Sequence, residues 1–241
     1  MDRKSSLGDA KSEAEFDEFA DDYDAALNKG LSLTGESKDY FAEGRMRWLK
    51  GRLARRGLTP RRALDFGCGT GGSTRWFFSV LGAESLTGVD PSAESLEVAR
   101  GECASFPVSF RLPEEDTEDG QRDLAFCNGV FHHIPVEDRP AAVAHVFRSL
   151  RPGGIFAFWE NNAWNPATRF VMSRVSFDRD AILLFPHGAR KMLRAGGFEI
   201  LGTDYLFVFP RPLAALRRFE PMLCKLPLGG QYLVLARKPG G

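Results

Sequence analysis

A parallel, doubly wound α/β sheet is the fold that this 241-residue sequence predicts, on three observations. Short apolar runs suited to strands alternate along the chain with stripes at helical spacing, as in strands joined by crossover helices. A glycine cluster, Gly67-Cys68-Gly69-Thr70-Gly71-Gly72, follows the first run, Ala63-Leu64-Asp65-Phe66, and opens a helix near Ser73. About twenty residues on, a second run, Leu86-Thr87-Gly88-Val89, ends in the carboxylate of Asp90.

The elements follow in order. Residues 1–12 are polar and are expected to be a disordered tail. Phe16, Phe19, Tyr23 and Leu27 recur at helical spacing, and after a break from Gly30 to Ser37 so do Phe41, Trp48, Leu49 and Leu53. Past the glycine cluster, Trp76, Phe77, Val80 and Leu81 mark a helix packed on the sheet. Pro91-Ser92 opens another, carrying Leu96, Ala99 and Cys103; proline in a first turn loses no hydrogen bond. Val108, Phe110 and Leu112 alternate as the third strand, and Asp123 to Asn128 reads as the fourth. Val143, Val146, Phe147 and Leu150 form a helical stripe stopped by Arg151-Pro152-Gly153-Gly154, and Ile155 to Trp159 is the fifth strand. A helix from about Pro186 to Ala195 stops at Gly196-Gly197. Phe198 to Phe209 is strand six, an amphipathic segment follows, and Gln231 to Arg237 is the last strand.

In open α/β sheets, ligands bind beyond the carboxyl ends of the strands, where strand order reverses. The glycines let the backbone turn tightly and let a ligand approach without a Cβ in the way. The N–H groups at the following helix start form a polar cradle, and a carboxylate at the position of Asp90 can accept from both hydroxyls of a ribose. The site therefore suits a nucleoside-bearing cofactor. Gly67, Gly69 and Gly72 also spell the dinucleotide pattern G-x-G-x-x-G. On this stretch alone a nicotinamide enzyme and an adenosylmethionine enzyme stand equal.

The wider sequence separates them. Leu64-Asp65-Phe66-Gly67-Cys68-Gly69-Thr70-Gly71 closely resembles the first motif of class I S-adenosylmethionine-dependent methyltransferases. Asn128-Gly129-Val130-Phe131-His132-His133-Ile134 and Leu150-Arg151-Pro152-Gly153-Gly154 resemble two later motifs, in the right order. The resemblance runs from about residue 16 to 238. It implies a Rossmann-like seven-stranded sheet with helices on both faces, strand order 3-2-1-4-5-7-6 and the last strand antiparallel. It also implies an N-terminal helical lid over 13–58, a core over 59–241 and a cap segment around 161–185, after strand five.

The same resemblance implies a cofactor, S-adenosyl-L-methionine, and its contacts. Gly67, Cys68 and Gly69 would meet its methionine part and sugar, with Asp90 and the adjoining Pro91 at the ribose. Asn128 and Gly129 would hold the amino-acid end, Asp65 would orient the ammonium, and Tyr23 would close over the methionine part. Many relatives carry an adenine-binding Asp just after strand three. This chain has Leu112-Pro113-Glu114-Glu115-Asp116 there, so a backbone group or one of these acids takes that place.

Methyl transfer needs mainly a nucleophile held in near-attack geometry. A general base is required only where the acceptor atom carries a proton at neutral pH. His133 and His132 are the candidates, His133 preferred, against the plainer role of bracing the loop; His187 is weaker, and His145 is structural. The stretch Asn161 to Arg174 is expected to shape the acceptor pocket, with Trp164 as an apolar wall and Asn161, Asn165 and Arg169 as polar contacts. That suits a small polar or anionic metabolite methylated on O, N or C. The alternatives are an NAD(P)-dependent oxidoreductase and a cofactor-binding scaffold without transfer. Against the first, no tyrosine has a lysine four residues on.

Bulk properties narrow the partners. The 32 basic and 32 acidic residues cancel, so no global field favours nucleic acid or an anionic membrane. Charge is segregated nonetheless: 9–24 is acidic and 45–62 is rich in arginine, which reads as solvated helix faces of opposite charge. The four cysteines show no C-x-x-C pair, fitting reduced thiols in a cytoplasm rather than a disulfide framework or a metal site. No apolar run approaches the ~20 residues of a membrane span. A small-molecule acceptor is the expected partner; the oligomeric state is open.

Overall fold

The computed structural model describes residues 35–174 and 182–240. Tyr23 and the rest of the first amphipathic stretch lie outside the described residues. Seven strands form one sheet: β1 Arg62–Phe66, β2 Ser85–Val89, β3 Val108–Arg111, β4 Arg122–Asn128, β5 Leu150–Asn161, β6 Glu199–Leu206 and β7 Gln231–Arg237. Their order is β3-β2-β1-β4-β5-β7-β6, with β1 to β5 parallel and β7 antiparallel to both its neighbours. The helices are α1 Lys38–Ala54, α2 Thr74–Trp76, α3 Ala93–Glu102, α4 Arg139–Ser149, α5 Pro166–Met172, α6 Pro186–Ala195 and α7 Glu220–Leu223.

The two sheet faces carry separate cores. One holds Leu64, Ala125, Cys127, Phe156, Phe158 and Val234 under α4 and α6. The other holds Ala63, Leu86, Phe126, Trp159 and Leu235 under α1 and the helix after the glycine turn. Adjacent residues of one strand thus feed opposite cores, as the strand period of two requires.

Four features depart from the sequence reading, each for a local reason. The helix after the glycine turn is α2 followed by a π-helical turn, Phe77–Leu81, ended by Gly82 at φ +74°. The wider turn buries Phe77, Val80 and Leu81 together. Strand β5 begins at Leu150, so the Pro-Gly-Gly stretch that stops α4 is already strand: Gly153 donates to Lys238 O at 2.9 Å and receives a positive φ in doing so. Strand β6 ends at Leu206 because Phe207 turns out at φ +63°.

The fourth concerns α1, which falls in the segment expected as a lid. Met46, Leu49 and Leu53 are buried with Phe77, Leu86, Leu124 and Leu235, so this helix is part of the core. Nor is its arginine run wholly solvated. Arg45 is buried and donates to Gln231 Oε1 at 3.0 Å, and Arg52 meets the buried Asp204 at 3.0 Å. Trp48 Nε1 donates to the same carboxylate at 3.0 Å, which pins α1 to β6.

The β3–β4 connection holds only a short turn, Pro113–Glu115, where a crossover helix would cover the sheet. A polar cleft of about 180 Å³ is left there, lined by Arg62, Thr87, Arg111 and Gln121.

Candidate functional site

The glycine turn is built by hydrogen bonds to β2. Gly67 N and Cys68 N both donate to Val89 O, at 2.7 and 3.1 Å, while Asp90 Oδ2 accepts from Gly69 N at 2.8 Å. The other carboxylate oxygen accepts from Ser92 N at 3.0 Å, at the start of α3. Asp90 thus joins the turn to the next helix, and Pro91 beside it is exposed.

The turn's glycines are required for two different reasons. A Cβ on Gly67 would stand 2.2 Å from Val130 Cγ2, at φ +74°. That contact seats the 128–134 loop directly on the turn. Gly69 has φ +51°, and a Cβ there meets nothing within 4 Å, so it would project into open space, where a ligand approaches the backbone. We expect Gly67→Ala to cost on the order of 3 kcal/mol of stability by overpacking and backbone strain. Adding Val130→Ala should recover the packing share, read by denaturant unfolding; equal stability of Gly67→Ala and the parent would contradict the seating.

Beneath the turn sits Asp65, 3% exposed. Its carboxyl is pushed up to about 8, first by burial and then by the charge of Asp90, with Arg45 pulling the other way. Cys68 is buried, and burial, with the two aspartates, holds its thiol well above the usual range. At the end of β4, Asn128 Oδ1 is buried and accepts no hydrogen bond within the protein. Gly129, next along, donates to Trp159 O at 3.0 Å and has φ +68°.

The two histidines separate clearly. His132 is 3% exposed, and its Nδ1 lies 2.6 Å from Oε2 of Glu160, itself 1% exposed. The second carboxylate oxygen accepts from Phe131 N at 2.9 Å. His133 is half-buried and packs on His132 with ring centroids 4.1 Å apart. A Cβ on Gly129 would stand 3.5 Å from His132 Cε1, so the imidazole lies against the loop that flanks the turn. Arg139 fixes that loop from behind, donating to Ile134 O at 3.0 Å and Ile182 O at 3.1 Å. Glu160 thus orients His132, the more buried of the two, while His133 is the more exposed.

Glu160 reaches the site because β5 runs past the end of β4, where Asn128 pairs with Trp159; the sequence places its loop at the carboxyl end of the sheet but assigns its side chain no role. The signal was present, an acid closing an otherwise apolar strand. Asn162, buried, was also passed over; its Nδ2 donates to Gly229 O at 2.8 Å and Pro227 O at 3.1 Å.

The expected acceptor residues divide. Asn161 Oδ1 accepts from Gln231 Nε2 at 3.3 Å, and through Gln231 joins Arg45. Asn165 caps α5, its Oδ1 accepting from Ala167 N at 2.9 Å and its Nδ2 donating to Leu228 O at 2.8 Å, so both ends are engaged. Trp164 is 44% exposed and lies near Phe185, His187 and Tyr205. Arg169 is exposed.

His145 is structural: its two ring nitrogens lie 2.9 Å from Asp116 and Glu118. Asp116 is turned into that cluster with Arg122. Burial pushes its carboxyl up, but hydrogen bonds from His145 and Arg122 overcome this and hold it at about 2. It is thereby removed from the place expected for an adenine contact. No cluster of metal ligands occurs among the described residues.

Residues 63–154 match the family model of a methyltransferase domain. The structure of phosphoethanolamine N-methyltransferase 2 from Haemonchus contortus, in complex with S-adenosyl-L-methionine, superposes with a TM-score of 0.61 at 18% identity. It covers 93% of this chain and 60% of that one. This is a class I S-adenosylmethionine-dependent methyltransferase fold.

Among curated relatives, the ubiquinone biosynthesis O-methyltransferase of Bordetella pertussis is 31% identical over 137 residues, 54% of each chain. The cyclopropane-fatty-acyl-phospholipid synthase of Escherichia coli K12 is 34% identical over 95 residues, 39% of this chain and 25% of that one. The chain spans about a quarter to a half of the length of the curated relatives it matches. The residues of this site fit S-adenosylmethionine, the molecule bound in the Haemonchus contortus structure: an open cradle at Gly69, an unpaired buried acceptor at Asn128 and a buried acid at Asp65.

Proposed function

We propose that the protein transfers the methyl group of S-adenosylmethionine to a small molecule whose accepting O or N carries a proton at neutral pH. Asp90 serves the ribose hydroxyls, Gly67 to Gly69 line the sugar and methionine part, and Asn128 Oδ1 and Asp65 receive the ammonium. Bound S-adenosylmethionine supplies an electrophilic methyl on a positive sulfur. The rest is the protein's work. With the methyl leaving sulfur as the neutral thioether forms, His132 Nε2 would take the proton that the acceptor atom loses, and Glu160 would steady the resulting imidazolium.

The observation that carries this reading is the buried His132–Glu160 pair at 2.6 Å, on the loop that rests against the glycine turn. A base oriented by a carboxylate is what a protonated acceptor needs and a scaffold does not. The family match over 63–154 and the O-methyltransferase among the relatives support the same chemistry. Asn161, Trp164 and Arg169, at the end of β5, are the side chains from which an acceptor pocket is built, for a polar or anionic compound.

Calorimetry with S-adenosylhomocysteine and, separately, NADH tests the cofactor. The first should bind and the second should not. Asp90→Ala should weaken the first by about 10- to 100-fold, the loss of charge-assisted hydrogen bonds. NADH binding without affinity for S-adenosylhomocysteine would reverse the assignment.

A further inference from the structure

Of the twelve large apolar side chains exposed among the described residues, ten fall between residues 164 and 185 or between 213 and 228. The first stretch follows β5 and the second lies in the β6–β7 connection, so both stand at the carboxyl edge of the sheet. They form one surface: Asn165 Nδ2 donates to Leu228 O at 2.8 Å and Thr168 Oγ1 to Gly230 O at 3.0 Å. Met222 is 79% exposed, Phe170 52% and Leu228 50%. Exposed apolar residues scattered singly need no explanation, but a concentration of this kind marks an interaction site.

Among the described residues, the exposed charge on this surface has one sign. Arg174, Arg211 and Arg218 are exposed on it. Two of them ride on its aromatics, Arg174 4.4 Å from the Phe170 ring centroid and Arg218 4.9 Å from that of Phe219. Glu220 is the carboxylate of the described part of these stretches, and it is turned inward, accepting from Val208 N at 3.0 Å and Phe209 N at 2.9 Å. Against the same face of a second copy, the described guanidinium groups would meet guanidinium groups, with no outward acid among the described residues to receive them.

Apolar tips paired with guanidinium groups, with no outward carboxylate among the described residues, are the chemistry of a segment lying in a lipid headgroup layer. We infer that this face seats the protein on an anionic phospholipid bilayer, Phe219, Met222 and Leu228 at the acyl boundary and the arginines at lipid phosphates. The zero net charge of the whole chain conceals the local excess. No helix among the described residues is long and apolar enough to cross a membrane, so the attachment is peripheral. The inference is independent of methyl transfer; the S-adenosylhomocysteine measurement tests that separately.

The test is flotation of the full chain with phosphatidylcholine vesicles, with and without phosphatidylglycerol. The chain should float with the anionic vesicles, stay behind with the neutral ones, and detach as salt rises. The double variant Phe219→Glu, Met222→Glu should lose at least about tenfold in partitioning, keeping its circular dichroism and S-adenosylhomocysteine affinity, while Met222→Leu should bind as the parent does. The inference is overturned if the full chain does not float, if the glutamate variant floats equally well, or if light scattering shows a dimer that the variant dissociates while flotation is unaffected.

Discussion

Replacing Asp65 by asparagine is expected to raise the unfolding temperature of the ligand-free protein and, at the same time, to weaken its hold on S-adenosylhomocysteine. The carboxyl is buried beside a second acid, and its folded-state value of about 8 lies above the 3.8 of an ordinary aspartate. Between those two values the folded chain holds a proton that the unfolded chain has released. Stability therefore declines as pH rises through that interval, and the penalty is fully developed above about 8. Asparagine removes it. A gain on the order of 1–2 kcal/mol at neutral pH corresponds to roughly 5 °C for a chain of this size.

Ligand binding moves in the opposite direction. The ammonium of S-adenosylhomocysteine favours the ionised carboxylate, so below about 8 binding must expel the Asp65 proton. Affinity should rise with pH towards that value, by at most about tenfold per unit. The binding enthalpy should depend on the ionisation enthalpy of the buffer. Asp65→Asn should flatten both dependences and weaken binding by about 10- to 100-fold at pH 8, the loss of a charge-assisted contact. A buffer-independent enthalpy in the parent protein would show that Asp65 does not meet the ammonium.

The second large effect is expected at Glu160. Glu160→Gln keeps the shape of the strand end but offers His132 no charge, and kcat should fall by about 10²- to 10³-fold with any acceptor that the parent turns over. Affinity for S-adenosylhomocysteine should hardly change. His132→Ala should cost about as much, and the double variant little more than either, because base and orienting acid act as a unit. The pH dependence of kcat should lose its acid limb in His132→Ala. His133→Ala should cost less than about tenfold. A structural role for the pair would instead lower the unfolding temperature in both variants and leave the kcat profile in place.

The fold was largely legible in the sequence because its signals are local. Glycine spacing, apolar alternation and helix stops name each strand without reference to its neighbours, and Asp90 stands at a fixed distance from the turn. What escaped was set by pairing across long separations. Glu160 meets His132 across 28 residues, and Arg45 meets Gln231 across 186. No stripe within α1 could reveal that an arginine faces inward, since its partner lies on the last strand. The choice between His132 and His133 was beyond periodicity too, because adjacent residues of a loop carry no face. Asn165 looked like a pocket residue by composition, but the proline after it makes it a helix cap.

The placement of β7 bears on how the chain reaches this state during synthesis. Strand β7, made after β5 and β6, lies between them, so until it emerges both of those strands present unsatisfied edges. Gln231, which anchors Arg45 of α1, arrives with it. A ribosome-bound intermediate therefore carries sticky strand rims that only the emergence of β7 can quench, and chaperone dependence and aggregation during expression should concentrate in that interval.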